Sequence, residues 1–144
     1  MPDCRITNDP FEVIVSDIVL RAATVIDGTG ADPLHEAEIV VRDGKIARVG
    51  ARDSNVGDIR TIDYGEATIM PGLIDCHTHT QMDAGKWIPE EIVDRSDKRL
   101  YKQSLNNIHT ALESGVTAVR DNAARQTPIL ELREMLRSGQ TRGP

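Results

Sequence analysis

The sequence predicts an α/β protein whose amino-terminal part is rich in β-strands. Short β-type runs separated by turn residues fill residues 14–63. From Leu73 onward the pattern changes to strand, helix, strand, helix, an order typical of a parallel sheet with helical crossovers. We therefore expect a β-rich part, residues 1–65, followed by a second part, residues 66–144.

The β-rich part contains a predicted hairpin. Its arms are residues 38–41 and 46–49, and between them Asp43 and Gly44 tolerate the positive φ of a tight turn. Strands this short and this close in sequence indicate an antiparallel sheet or a small sandwich.

The second part begins with "ATIMPGLIDCHTH", residues 67–79, a nearly continuous apolar run. Such a run is typical of one strand covered on both faces. A second buried strand is predicted at "VTAVRD", residues 116–121, because it is rich in β-branched residues.

Two helices alternate with these strands. The first is predicted to start at a cap formed by Ser96 or Asp97 and to end at Gly115. Its apolar stripe follows a helical spacing through Tyr101, Leu105, Ile108 and Leu112. The second is predicted to start with Thr127 as its cap and to end before Gly139.

Composition excludes several classes of partner. The chain has 17 Lys and Arg against 23 Asp and Glu, a formal charge of −6, which argues against a general nucleic-acid surface. No apolar run approaches the roughly 18 residues of a membrane span, so no membrane partner is expected. The first residues lack the basic start and apolar core of a secretory signal, which predicts a cytoplasmic protein. Cys4 and Cys76 are predicted to be free thiols.

The sequence "CHTHT" contains the strongest candidate for chemistry. Side chains alternate along a strand, so His77 and His79 point the same way and can converge on one metal ion. Catalytic zinc uses about three protein ligands and an open position. Both histidines end a predicted strand that enters a loop, where α/β folds place their sites. We interpret them as metal ligands, with a structural pair as the alternative.

Two carboxylates are candidates for supporting roles. Asp75 shares the face of the histidines and is expected either to accept a hydrogen bond from an imidazole or to bond backbone N–H groups. Asp121 ends the second strand and is expected either to line the pocket or to cap a helix. We expect Cys76 to face the helices as core, and His109 to be exposed to solvent.

These patterns together resemble the amino-terminal portion of the amidohydrolase superfamily. The resemblance rests on "VIDGTG", "EIVVRDGKIARVG", "IMPGLIDCHTH" and "LESGVTAVRD", and it covers roughly residues 18–144. Its nearest branch is that of imidazolonepropionase-like enzymes, which includes enzymes similar to Xaa-Pro dipeptidases. No residue of this chain is assigned as catalytic.

The resemblance implies a small β-sandwich portion followed by the first two β/α units of a (β/α)8 barrel of the TIM type. It implies that His77 and His79 are ligands of one or two divalent metals, usually zinc. Family members complete the site with a carboxylated lysine or a glutamate, two histidines and an aspartate on later strands. Their metals activate water for attack on an amide, ester or related carbon of a small-molecule substrate.

The chain departs from the family pattern because it lacks those later ligands. Residues 71–144 hold two strand–helix units, whereas a complete barrel takes about 250 residues. We therefore expect this chain to be part of a metal-dependent amidohydrolase that acts on C–N bonds, and to be inactive alone. We also expect it to form homo-oligomers or to associate with the missing barrel portion. The alternatives are a non-catalytic short or split product that binds a partner chain, and a metal-dependent deaminase of the same architecture.

Overall fold

The computed structural model describes residues 17–83 and 93–144, so Cys4 lies outside the described residues. The contacts divide the chain into two compact units, one reaching to Pro71 and one running from Gly72 to Pro144. Strands dominate the first unit and strand–helix pairs dominate the second, so the chain is a sheet-rich α/β protein.

The first unit is built on one five-stranded sheet. Its strands are β1 (Ile18–Val25), β2 (Leu34–Arg42), β3 (Lys45–Ala51), β4 (Arg60–Asp63) and β5 (Thr68–Ile69). The path through the sheet is β3-β2-β1-β4, and β5 also pairs with β1. The pairings β1–β2 and β2–β3 are antiparallel, whereas β4 and β5 run parallel to β1. The expectation of an antiparallel sheet is therefore wrong for β4 and β5, because the connection after β3 returns the chain to the start of β1.

The predicted hairpin is confirmed. Strands β2 and β3 pair around Asp43 and Gly44, whose φ angles are +49° and +70°. Positive φ at both central residues is the geometry of the tight turn that matches strand twist, and the pair Asp-Gly is favoured there. The local sequence is sufficient to explain this element.

One hydrophobic cluster of the first unit lies on one face of the sheet. Val25, Ala37 and Ile39 are buried there, and the partly buried side chains that pack against them are Leu20, Leu34, Val41, Val49 and Ile69. Glu38 alternates to the other face, where Val19 and Val40 are also buried, and is itself fully buried. Burial of an ion is tolerated only when the ion is paired, and Glu38 is paired with two arginines.

The second unit contains a parallel pair of strands, β6 (Leu73–Thr78) and β7 (Val116–Asp121). The apolar run at residues 67–79 was predicted to be one strand, and this prediction is wrong: its first part is β5, in the other unit. Pro71 lacks an N–H for a sheet ladder and separates the two strands. At Gly72 a Cβ atom would collide with Thr117, so a residue without a side chain is required.

Strand β6 is not covered on both faces, contrary to the prediction. Leu73 is 51% exposed and Ile74 is 69% exposed, and Cys76 is also exposed. In the part of the chain that the structure describes, β6 has one neighbouring strand, β7. The helix at Asp97–Glu113 packs against β7 and against the helix at Gln126–Arg137, and the apolar residues of β6 are left in solvent.

Helix α1 spans Asp97–Glu113 and follows the predicted start and end. The Ser96 side chain accepts a hydrogen bond from the Arg99 N–H at 3.4 Å, which identifies Ser96 as the cap. Gly115 follows the helix with a φ of +89°. The buried line is shifted from the predicted stripe, since Leu100, Ser104 and Ile108 are the residues that are buried.

Helix α2 spans Gln126–Arg137 and begins earlier than predicted. Arg125 is its N-cap, without a side-chain hydrogen bond, and so Thr127 lies in the first turn. Its end is confirmed: Gly139 has a φ of +70° and donates to Leu136 O at 3.1 Å, and Gln140 donates to Met135 O at 3.0 Å. These two bonds form a Schellman cap. No helix among the described residues has the length and apolarity to cross a membrane.

Candidate functional site

The structure brings the two histidines of "CHTHT" together. His77 lies within β6 and His79 directly follows that strand. Their ring centroids are 5.1 Å apart and the ring planes are inclined by 76°. Two imidazoles at this separation can direct nitrogen atoms toward a shared ligand.

His79 has an unsatisfied polar atom. Its Nδ1 is buried and has no hydrogen-bond partner among the described residues. Leaving a buried polar atom unpaired costs about 1–3 kcal/mol. A cation beside this ring, or a ligand that orients it, would remove that cost. The donor chemistry of the pair therefore fits a divalent transition metal, since imidazole suits zinc, copper, iron and nickel.

The ligand set does not extend beyond the pair in this structure. Among residues 17–83 and 93–144, no group of three or more His, Cys, Asp or Glu side chains is placed to hold a metal ion. Because a catalytic zinc site takes about three protein ligands, the pair accounts for part of such a site.

Asp75 lies near the histidines but bonds the backbone. Its Oδ1 accepts a hydrogen bond from the His77 N–H at 3.0 Å, and the residue is exposed. The pairing of β6 with β7 is irregular between Asp75 and Thr78. The carboxylate thus supports the local chain conformation that presents His77. Of the two expected roles, bonding an imidazole or bonding backbone N–H groups, the structure shows the second.

Asp121 holds the residue that follows His79. One of its carboxylate oxygens accepts hydrogen bonds from both the N–H, at 3.0 Å, and the hydroxyl of Thr80. The other oxygen accepts from the Ala123 N–H at 3.1 Å. Asp121 therefore ties the carboxyl end of β7 to the chain that leaves β6.

Residues 79–82 form a turn, hereafter the ligand turn. The Met82 N–H donates to the His79 carbonyl at 3.0 Å, which closes the turn. Thr80 and Gln81 are buried, with exposures of 6% and 1%. The Thr80 hydroxyl also bonds the Ser104 hydroxyl at 3.2 Å. This buried turn fixes the backbone immediately after His79.

Gln81 connects the ligand turn to the start of helix α2. Its Oε1 accepts from the Arg125 N–H at 2.6 Å, and its Nε2 donates to the Arg125 carbonyl at 3.0 Å. These two hydrogen bonds anchor the backbone of Arg125, the N-cap residue at which helix α2 begins. The sequence prediction did not include this contact, because Gln81 and Arg125 are 44 positions apart.

Sequence reasoning also missed Asn107. Its Nδ2 donates to the carbonyls of Thr80, at 2.8 Å, and Met82, at 2.7 Å. One signal was available: Ser104 and Asn107 are polar residues three apart, beside the apolar Ile108 of the same helix. Polar side chains on an inward-facing helix surface need partners, and the ligand turn supplies them.

Two other expectations are corrected by the structure. His109 is half-buried, not exposed, and its Nε2 lies 3.2 Å from the Thr141 hydroxyl oxygen, because the last residues of the chain pack against helix α1. Cys76 is exposed, not part of a core, because β6 is uncovered. His35 is exposed on β2.

Comparison with known proteins places this site in a family. The model of the amidohydrolase family matches residues 68–143, which include both histidines. A 5-methylthioadenosine/S-adenosylhomocysteine deaminase of Nitratidesulfovibrio vulgaris is 35% identical over 80 residues, covering 53% of this chain and 18% of the deaminase. An imidazolonepropionase of Klebsiella pneumoniae is 33% identical over 111 residues, covering 75% of this chain and 26% of that enzyme.

Solved structures agree with the sequence comparison. A prolidase crystallised with N-methylphosphonate-L-proline superposes with a TM-score of 0.76 at 26% identity, covering 90% of this chain and 30% of the prolidase. The chain thus spans less than a third of the length of each of these proteins. Because the family model matches more than half of its residues, this chain belongs to the amidohydrolase superfamily, and it corresponds to the amino-terminal portion of such proteins.

Proposed function

We propose that this chain supplies the first two ligands, His77 and His79, of a metal centre that hydrolyses C–N bonds. The observation that carries the proposal is the pair itself: two adjacent imidazoles, one with a buried and unpartnered nitrogen, on a chain of this superfamily. Zinc is the metal that we propose, because it takes imidazole nitrogen readily and is redox-inert.

The chain's own residues have defined tasks in this proposal. His77 and His79 bind the metal, and Asp75 and Asp121 stabilise the backbone on either side of the pair through the bonds described above. When bound, a divalent metal supplies Lewis-acid activation of water for attack on an amide-like carbon. We assign no catalytic acid or base to this chain.

The substrate class that we propose is a small molecule with an amide, cyclic amide or peptide-like C–N bond. The imidazolonepropionase and prolidase similarities support this class. A second candidate is hydrolytic deamination, which the named deaminase supports at 35% identity. Both reactions break a C–N bond with water, so they share the role given to the histidine pair.

We also propose that this chain has no turnover alone and acts with further strands. The parts of the proposed architecture are a β-sandwich portion at residues 1–65 and the first two β/α units of a TIM-type barrel at residues 66–144. Leu73 and Ile74, exposed on β6, are the apolar surface that a second copy or the remaining barrel strands would cover. A partner-binding, non-catalytic role remains the competing proposal.

Zinc affinity tests the proposed function. The 144-residue chain is titrated with Zn²⁺ against a chromophoric chelator, alongside His77→Ala, His79→Ala and the matched control His35→Ala, which removes an exposed histidine. We expect each site variant to weaken binding by about tenfold or more, since each loses half of the pair, and the control to match the parent chain. Equal affinity in all four proteins would refute the ligand assignment.

A further inference from the structure

Asn107 of helix α1 holds the ligand turn by two hydrogen bonds, in addition to the bond between Ser104 of that helix and the Thr80 hydroxyl. The Nδ2 atom of Asn107 donates one hydrogen bond to the Thr80 carbonyl at 2.8 Å and one to the Met82 carbonyl at 2.7 Å. Its Oδ1 accepts from the Gln103 Nε2 at 3.1 Å. All the hydrogen-bonding groups of this amide are therefore engaged, and both N–H groups serve the turn that begins with His79.

The chemistry of this contact demands an amide. The two carbonyls need two donors on one atom, which an Asn or Gln amide offers and a carboxylate does not. With Asp at this position, a carboxylate would face two carbonyl oxygens, so the turn would lose both bonds and meet repulsion. Because Asp121 holds Thr80 from the β7 side, the turn would still be partly held.

We propose that Asn107 is a positioning residue for the metal ligand His79. It fixes the carbonyls one and three residues after that histidine, and so limits how far the His79 backbone can move relative to His77. The proposal rests on the proposed function, since positioning matters only if the pair binds a metal. Asn107 is not a catalytic residue, because it bonds the turn and not the imidazoles.

The experiment compares Asn107→Asp with Asn106→Asp in the full chain. Asn106 is exposed and precedes Asn107 on the same helix, so the control makes the same chemical change at a site without these bonds. Thermal unfolding checks the fold, a Zn²⁺ titration measures affinity, and ¹⁵N spectra without metal report the His79 ring. We expect Asn107→Asp to weaken Zn²⁺ binding by about tenfold and to shift the His79 ring resonances. Groups that hold metal ligands in place typically contribute about 10–100-fold to metal affinity.

Unchanged affinity and an unchanged His79 spectrum in Asn107→Asp would overturn the inference, whatever the change in melting temperature. Equal losses in Asn106→Asp would overturn it too, since the effect would then come from charge alone. If Asn107→Asp does not fold, Asn107→Ala, which removes the donors without adding charge, is measured in its place with the same expected result.

Failure of the proposed function is recognised separately. If the parent chain binds Zn²⁺ no better than a His77→Ala/His79→Ala double variant, the metal role of the pair is refuted. The ¹⁵N spectra without metal then decide whether Asn107 orients His79: a shift confined to Asn107→Asp supports the orienting contact, and the absence of a shift refutes it.

Discussion

The imidazole rings of His77 and His79 meet edge to face with their centroids 5.1 Å apart, and Nδ1 of His79 is buried without a partner among the described residues. The pair is presented by β6 and by the ligand turn, and three different elements hold that turn: α1, β7 and the start of α2. Hydrogen bonds from three elements to the residues that follow His79 are the support expected of a preorganised metal site.

Gly72 is predicted to be intolerant of a side chain. Gly72→Ala would place a Cβ against Thr117 on the neighbouring strand, so we expect a loss of about 1–3 kcal/mol in the free energy of unfolding. The control is Gly50→Ala, whose added Cβ would lie at an ordinary 3.6 Å from Arg48. Urea denaturation measures both variants, and Thr117→Ala should partly rescue Gly72→Ala. Equal stability of the two glycine variants would contradict the proposed close approach.

Glu38 is predicted to make stability depend on pH. Burial acts to raise the pKa of Glu38, but hydrogen bonds from Arg21, the Asp53 backbone and Arg48 outweigh burial and hold the pKa below its usual value. Since the pKa is lower in the folded state, this stabilisation is present above the unfolded pKa, about 4.3, and is lost as pH falls through the folded pKa. We expect Glu38→Gln to flatten the acid limb of the stability curve.

The same substitution has an expected cost at neutral pH. It leaves Arg21 and Arg48 without their carboxylate. Because these arginine side chains are 25% and 38% exposed, we expect the free energy of unfolding to fall by about 2 kcal/mol, less than for a fully buried pair. Glu36→Gln is the matched control, since Glu36 is on the same strand but 71% exposed, and its pair with Arg52 should contribute about 1 kcal/mol or less. Identical pH profiles for both variants would contradict the role of Glu38.

The exposed apolar residues of β6 are predicted to drive self-association when no other strands cover them. Ile74→Thr keeps a β-branched side chain but removes apolar surface, so we expect the dimer dissociation constant to rise by about tenfold. Ile46→Thr is the control, because Ile46 lies on β3 and is 67% exposed against 69% for Ile74. Sedimentation equilibrium measures both. A monomeric parent chain, or equal effects of the two substitutions, would refute this surface as an interface.

The elements predicted correctly are those that local sequence determines. The Asp43-Gly44 turn, the Ser96 cap and the Gly139 stop each depend on residues within a few positions. The division of the apolar run into β5 and β6 was missed because both strands are apolar: Pro71 marks the break, but their different partners, β1 and β7, are not visible in the sequence.

The juxtaposition of the two candidate ligands was predictable from the sequence, but the residues that support them were not. The spacing of His77 and His79 follows from strand alternation, which a sequence shows directly. Gln81 and Asn107 act on residues 44 and 25–27 positions away, so their roles depend on how the helices return to the sheet. Asp75 lies between these two cases. Both of its expected partners, an imidazole of the pair and a backbone N–H group, are close in sequence, and only the structure shows that it bonds the backbone.

If His77 and His79 bind one metal together, an imidazole ¹⁵N spectrum recorded during a Zn²⁺ titration shows it ring by ring. The chain has four histidines, so each ring can be followed. We predict that the resonances of His77 and His79 move together and saturate together, while those of His35 and His109 stay in place. Shifts of equal size in all four rings, or in none, would refute a shared metal site at this pair.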